Sequence, residues 1–125
     1  MEEKIRIIMS LSFFVMGFSH IFQHKIWAKF FMRLSEKGEL GAFINGFVHF
    51  PVGVFIVVFH NVWSGVPLVL TIIGYGIAIK GAICFIFPKF GLRSMERVSI
   101  ENSRGFIPVG IVWVIIASIL LFLIY

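Results

Sequence analysis

The sequence predicts an all-α, polytopic integral membrane protein: four transmembrane helices, with a short interfacial amphipathic helix after the first. Its 125 residues are 59% hydrophobic and only 14% charged, with a mean hydropathy of +1.01. Soluble domains carry about 45–50% apolar and about 25% charged residues, so this balance excludes a soluble globular domain, a soluble enzyme and a disordered chain. Four apolar runs recur, each near the roughly 20 residues a helix needs to cross the hydrocarbon core. None alternates apolar and polar residues as a barrel strand does, and helices are then the spanning form that satisfies its own backbone. At this length the chain is a single domain, residues 1–125.

The first run, Ile7–Phe22, is uncharged, and Ile5 and Arg6 extend it to a full span. No small-residue cleavage site follows it, so it reads as a span and not as a cleaved signal peptide. In Lys25–Lys37, Ile26, Trp27, Phe30, Phe31 and Leu34 share one helical face, while Lys25, Lys29, Arg33 and Lys37 share the other. That pattern suits a helix lying at the headgroup level. The second span is Leu40–Phe59, with Pro51 inside it, which frees the carbonyl of Phe47 and kinks the helix. The third is Val66–Phe87, with Pro67 in its first turn and Pro88 just past its end. A polar connection, Phe90–Gly105, leads to the fourth span, Phe106–Tyr125. The residue pattern shows no low-complexity tract and no internal repeat.

Charge sets the expected orientation. Eleven Lys and Arg against six Asp and Glu give a net charge of +5. Lys25, Lys29, Arg33 and Lys37 fall in the first connection, and Lys89, Arg93, Arg97 and Arg104 in or beside the third. The N-terminus holds Lys4 and Arg6, whereas Asn61–Gly65 holds none. By the positive-inside rule both basic connections face the cytoplasm and both termini lie outside. Positive residues distributed in this way do not form the basic face of a nucleic-acid-binding domain, so no nucleic acid is expected as a partner. Cys84 is the only cysteine and cannot form an intrachain disulfide.

With antiparallel spans, His20, Asn45, His49 and Lys80 fall in one layer of the cytoplasmic half, and they are the candidate ligand-binding residues. Helical phase places Asn45, His49 and His60 on one stripe, and Gly76, Lys80 and Cys84 on another at i, i+4, i+8. Lys80 stands out because a lysine deep in a span costs about 2.5–3.5 kcal/mol on insertion scales, so it should face the bundle interior near His49 and Asn45. The spans hold no Asp or Glu between them, so the layer favours an anionic or neutral polar ligand over a cation. His49 has a structural alternative, bonding the carbonyl freed by Pro51, and His60 reads as a residue of the outer interfacial belt. His20 and His24 match the i, i+4 spacing of helix-borne metal or haem ligands, but two histidines are an incomplete set and no metal site is expected. No HExxH, CxxC, P-loop or dinucleotide fingerprint occurs. Gly74, Ala78 and Ala82 form a small-xxx-small stripe suited to close helix approach, and self-association into a homo-oligomer is expected from it.

A first span with Gly17 and His20, the aromatic stretch of Trp27, Phe30 and Phe31, and the glycine-rich spans that follow resemble small four-helix bacterial membrane proteins of the DoxX-like type. The resemblance covers most of the chain in outline. It implies a bacterial inner (cytoplasmic) membrane location and an association with membrane redox chemistry, with quinone as a partner. Three functional expectations follow. The first is transport or permeation of a small anionic or neutral polar solute through the His/Asn/Lys layer. The second is a redox protein or enzyme subunit binding quinone or haem, and the third an accessory structural subunit of a membrane complex.

Overall fold

A computed structural model describes residues 2–122, and among these every regular element is helical. The order is α1 (Glu2–Phe22), α2 (His24–Glu36), α3 (Glu39–Phe59), α4 (Leu68–Ile86), α5 (Pro88–Glu96) and α6 (Phe106–Phe122), the last entered through a 3-10 turn at Ser103–Gly105. Four helices are long and apolar enough to cross a membrane: α1, α3, α4 and the continuous Ser103–Phe122. The last three residues of the expected fourth span, 123–125, lie outside the described residues. Only 17% to 39% of each long helix is buried within the chain, so each presents a broad apolar surface outward. An exterior of that kind is costly in water and suits lipid.

The boundaries have local causes. Glu2 and Glu3 occupy the first turn of α1, where carboxylates complement the helix dipole and carry the helix back beyond the apolar run. The polar connection expected at Phe90–Gly105 in fact contains a helix. Pro88 ends the span but also starts α5 at its first position, where a missing N–H and a preset φ cost nothing. Gly38, at φ 63°, takes the left-handed conformation that turns α2 into α3. Both short helices are amphipathic: Ala28 and Leu34 of α2 and Gly91 and Met95 of α5 are buried, while Lys25, Lys29, Arg33, Lys89 and Arg93 are exposed.

The structure shows an internal repeat that the residue pattern hides. Residues 2–58 and 66–122 have the same plan: a long helix, a one-residue break, a short amphipathic helix and a second long helix. Equivalent positions are offset by 64 (23 to 87, 24 to 88, 39 to 103). The two breaks are alike in detail. Gln23 N–H donates to the Ser19 carbonyl at 2.8 Å, and Phe87 N–H to the Ile83 carbonyl at 2.7 Å. Partners are exchanged between the halves, with α1 packed chiefly on α6 and α3 on α4, as an approximate two-fold produces.

Two glycine crossings hold these pairs. A Cβ on Gly17 would meet the Gly110 carbonyl and Val114, and one on Gly110 would meet the Gly17 carbonyl and Ile21. In the other pair a Cβ on Gly81 would meet the backbone of Phe50, and one on Gly46 the Gly81 carbonyl and Phe85. Each residue of the first crossing has its counterpart, 64 positions away, in the second. The small-residue stripe of α4 is also used internally. Gly74 abuts Ile56, and Ala78 packs on Gly53, so closely that a side chain on Gly53 would collide with it.

The core is divided between the two ends. One cluster, around Ile5, Met9, Phe13, Ile56, Leu70 and Leu120, joins the helix pairs at the end where α1 begins. The other, Leu34, Ala42 and Met95, lies where α2 and α5 meet.

Replacing Gly110 by Leu should cost about 1–3 kcal/mol by overpacking, read as a lower Tm in detergent. Ala78→Leu should do the same without changing the mass seen by light scattering. Gly76→Leu, with open space around its Cβ, should leave Tm unchanged.

Candidate functional site

A groove of about 260 Å³ opens at the junction of α3, α4 and α5, among Asn45, Gly76, Lys80, Cys84, Gly91 and Ser94. Its walls follow from helix periodicity. Gly76, Lys80 and Cys84 line up along α4, and Asn45 lies on the face of α3 that packs against α4. The break at Phe87 turns α5 back, so that Gly91 covers Cys84; a Cβ on Gly91 would lie 3.1 Å from its sulfur. Asn45, only 4% exposed, points its Nδ2 at Cys84 Sγ, 3.9 Å away. Phe90 and Ile83 complete a mainly apolar wall.

Two of the four expected site residues, Asn45 and Lys80, therefore share one cavity. His49 is the next layer along α3. Its Nδ1 pairs with the Asn45 carbonyl at 2.9 Å. The bond to the Phe47 carbonyl freed by Pro51 is not the one it makes. Lys80 differs from expectation in its direction. It is exposed in the isolated chain, at the open side of the groove, and is not enclosed by the four long helices.

His20 is held elsewhere. Its Nδ1 pairs with the Met16 carbonyl, its ring stacks on Trp27 at 4.3 Å between centroids, and Phe106 lies 5.7 Å away. Trp27 in turn donates its indole N–H to Ser19 Oγ at 2.8 Å. His24 pairs with Ser103 Oγ at 3.0 Å, tying α2 to the start of the last span. Among the described residues no three His, Cys, Asp or Glu side chains are grouped to hold a metal ion.

The two halves differ most at this site. Cys84, Gly91 and Ser94 correspond to His20, Trp27 and Phe30, and Lys80 and Asn45 to Met16 and Val109. In the first half the indole of Trp27 lies against Ser19, His20 and Phe30. Their counterparts, Ile83, Cys84 and Ser94, all line the groove. One half fills this position with a side chain, and the other keeps it open beside a lysine.

A second cavity, also about 260 Å³, lies at the opposite end, lined by Glu2, Glu3, Arg6, His60, Val62 and Pro67. Here His60 departs from the expected surface position, with only 1% of its area exposed. Thr71 explains why. Its hydroxyl accepts from Val62 N–H at 3.1 Å, donates to the Val62 carbonyl at 2.7 Å and lies 3.3 Å from His60 Nδ1, folding the connection over the end of α4. Burial, foremost, holds the His60 pKa below the ordinary imidazole value, with Arg6 adding to the effect and its backbone hydrogen bond and Glu2 opposing it.

The sign of the resulting pH dependence follows. The unfolded chain binds a proton at His60 that the folded chain resists, so stability falls as pH drops through and below about 6.5. His60→Gln should flatten that decline, measured as Tm between pH 7.5 and 5. An equally steep decline in the variant would move the effect to other groups.

No protein-family model, curated protein or solved structure matches the chain.

Proposed function

We propose that this protein is a multi-pass membrane protein that takes a small solute with an anionic or neutral polar head into the α3–α4–α5 groove, and that transport of this solute is its activity. The observation that carries the reading is the shared cavity of Lys80 and Asn45, kept open by Gly76 and Gly91. The long helices contribute no carboxylate to the groove, so a bound anion or carbonyl oxygen supplies the partner that an ammonium needs in apolar surroundings. The basic connections lie in the cytoplasm, both termini lie outside, and the groove then sits in the inner half of the bilayer. A homo-oligomer would close its open side.

A second reading is a membrane redox protein or enzyme subunit holding a quinone. The lateral opening and the apolar wall of Ile83 and Phe90 favour a ligand dissolved in the membrane, and the DoxX-like outline points the same way. An accessory role, in which the polar layer only fixes helix packing, is the third.

Mass spectrometry of extracts from the purified protein tests these readings. A compound with an anionic or carbonyl head should accompany the wild type. Lys80→Met should deplete it about ten- to a hundredfold, the worth of one hydrogen bond to a charged group. Flux of that compound into liposomes would separate a transporter from a protein that merely holds it. Identical extracts from both proteins would leave the accessory role. For topology, single cysteines in Asn61–Gly65 of a Cys84→Ala chain should label from outside intact cells. Those at Lys37 or Arg97 should label only after permeabilisation. The reverse pattern would invert the orientation.

A further inference from the structure

The repeat supplies a template for what the groove accepts. We infer that its ligand is a flat ring system of about indole size with one anionic edge, occupying in the second half the place that the Trp27 side chain fills in the first. This rests on the groove being the binding site, and it adds the ligand's shape.

The argument is positional. Trp27 and Gly91 are equivalent, and both side-chain directions meet the long helix one turn before its break. In the first half the direction is taken by an indole lying flat on His20 (interplanar angle 18°), with its N–H on Ser19 and the edge of Phe30 against it. In the second half the same direction starts from a glycine and runs over the sulfur of Cys84. The positions that would crowd a ring are reduced: Phe30 becomes Ser94, and His20 becomes the smaller Cys84. A sulfur floor and the Phe90 ring at the mouth both favour an aromatic face.

Polarity changes in the same place. In place of Met16 on α1 and Val109 on α6, the groove has their counterparts Lys80 on α4 and Asn45 on α3, a cation and an amide at one side. An indole needs neither, whereas a ring bearing a carboxylate or similar oxygen anion uses both. The glycine and the lysine thus form one arrangement, with space for the ring and charge for its edge.

Equilibrium binding to the purified full-length chain in detergent tests this with two probes of equal charge and carbon count. These are 2-naphthoate, which is planar, and decahydro-2-naphthoate, which is not. 2-Naphthoate should bind at least about tenfold more tightly, equivalent to 1.4 kcal/mol. Gly91→Trp, which copies the plug of the first half, should abolish that binding. Should Gly91→Trp not fold, Ser94→Phe on the exposed face of α5 gives the same narrowing, and at least a tenfold loss is expected. Equal affinity for the two probes would overturn the planar ring while leaving an anion site. Undiminished binding in a folded Gly91→Trp or Ser94→Phe protein would place the ring elsewhere and overturn the inference. Binding of neither probe by the wild type would overturn both the ring and the groove as an anion site.

Discussion

Backbone contact between glycines is the constraint on which this architecture depends. Helices with such apolar exteriors gain little, in lipid, by hiding apolar side chains from one another, so association depends on close packing and on few polar contacts. At Gly17–Gly110 each helix lies directly on a carbonyl of the other, leaving no room for even a methyl group, and at Gly46–Gly81 the Phe50 backbone closes on Gly81 just as tightly. Those crossings fix how the two helix pairs meet. Through the breaks at Gln23 and Phe87, a turn or so further on, they also fix where α2 and α5 come down. The groove is a consequence: α5 returns over α4 just where Cys84 and Gly91 face each other.

A repeated plan does not require a repeated site. The packing positions are kept in kind, with buried Ser10 and Gly74, Gly53 and Ala117, and Ile56 and Leu120 in equivalent places. The chemistry is not kept. Trp27, His20 and Phe30 make the first half a rigid aromatic joint, which braces α2 against α1 and, through the parallel stack of Phe31 on Phe106, against α6. The second half replaces that joint with small and polar residues and has a cavity in its place. One half carries the stiffness, which allows the other to be open.

Much of this was legible beforehand. Hydropathy marked all four long helices to within a few residues at most ends, because an uninterrupted apolar run leaves the chain few alternatives. The period of Lys25, Lys29 and Arg33 marked α2 in the same way. Helix α5 is not legible in the sequence because it spans only nine residues, and because Pro88 reads as a stop when it is also a start. The repeat was hidden because its halves share few identities, chiefly three glycine pairs, Lys25 with Lys89 and Arg33 with Arg97. Backbone spacing preserves such a plan while side chains drift. Depth and phase place Asn45 and Lys80 in one cavity, with His49 a turn further along α3, but they do not give the outward direction of Lys80. His20 was misplaced because equal depth does not reveal which pair a helix joins. His60 was misplaced because its burial depends on Thr71, eleven residues on.

The connection between the halves has a bearing on whether helices pair within one chain or between two. A slack tether would let the first half of one molecule pair with the second half of its neighbour, since the halves already exchange helices within one chain. Domain swapping takes that route wherever a hinge is loose. The Thr71 hydroxyl gathers the backbone of Val62 and the ring of His60 onto the first turn of α4. It thereby sets the angle at which the second half departs, which favours pairing of the two halves within one chain.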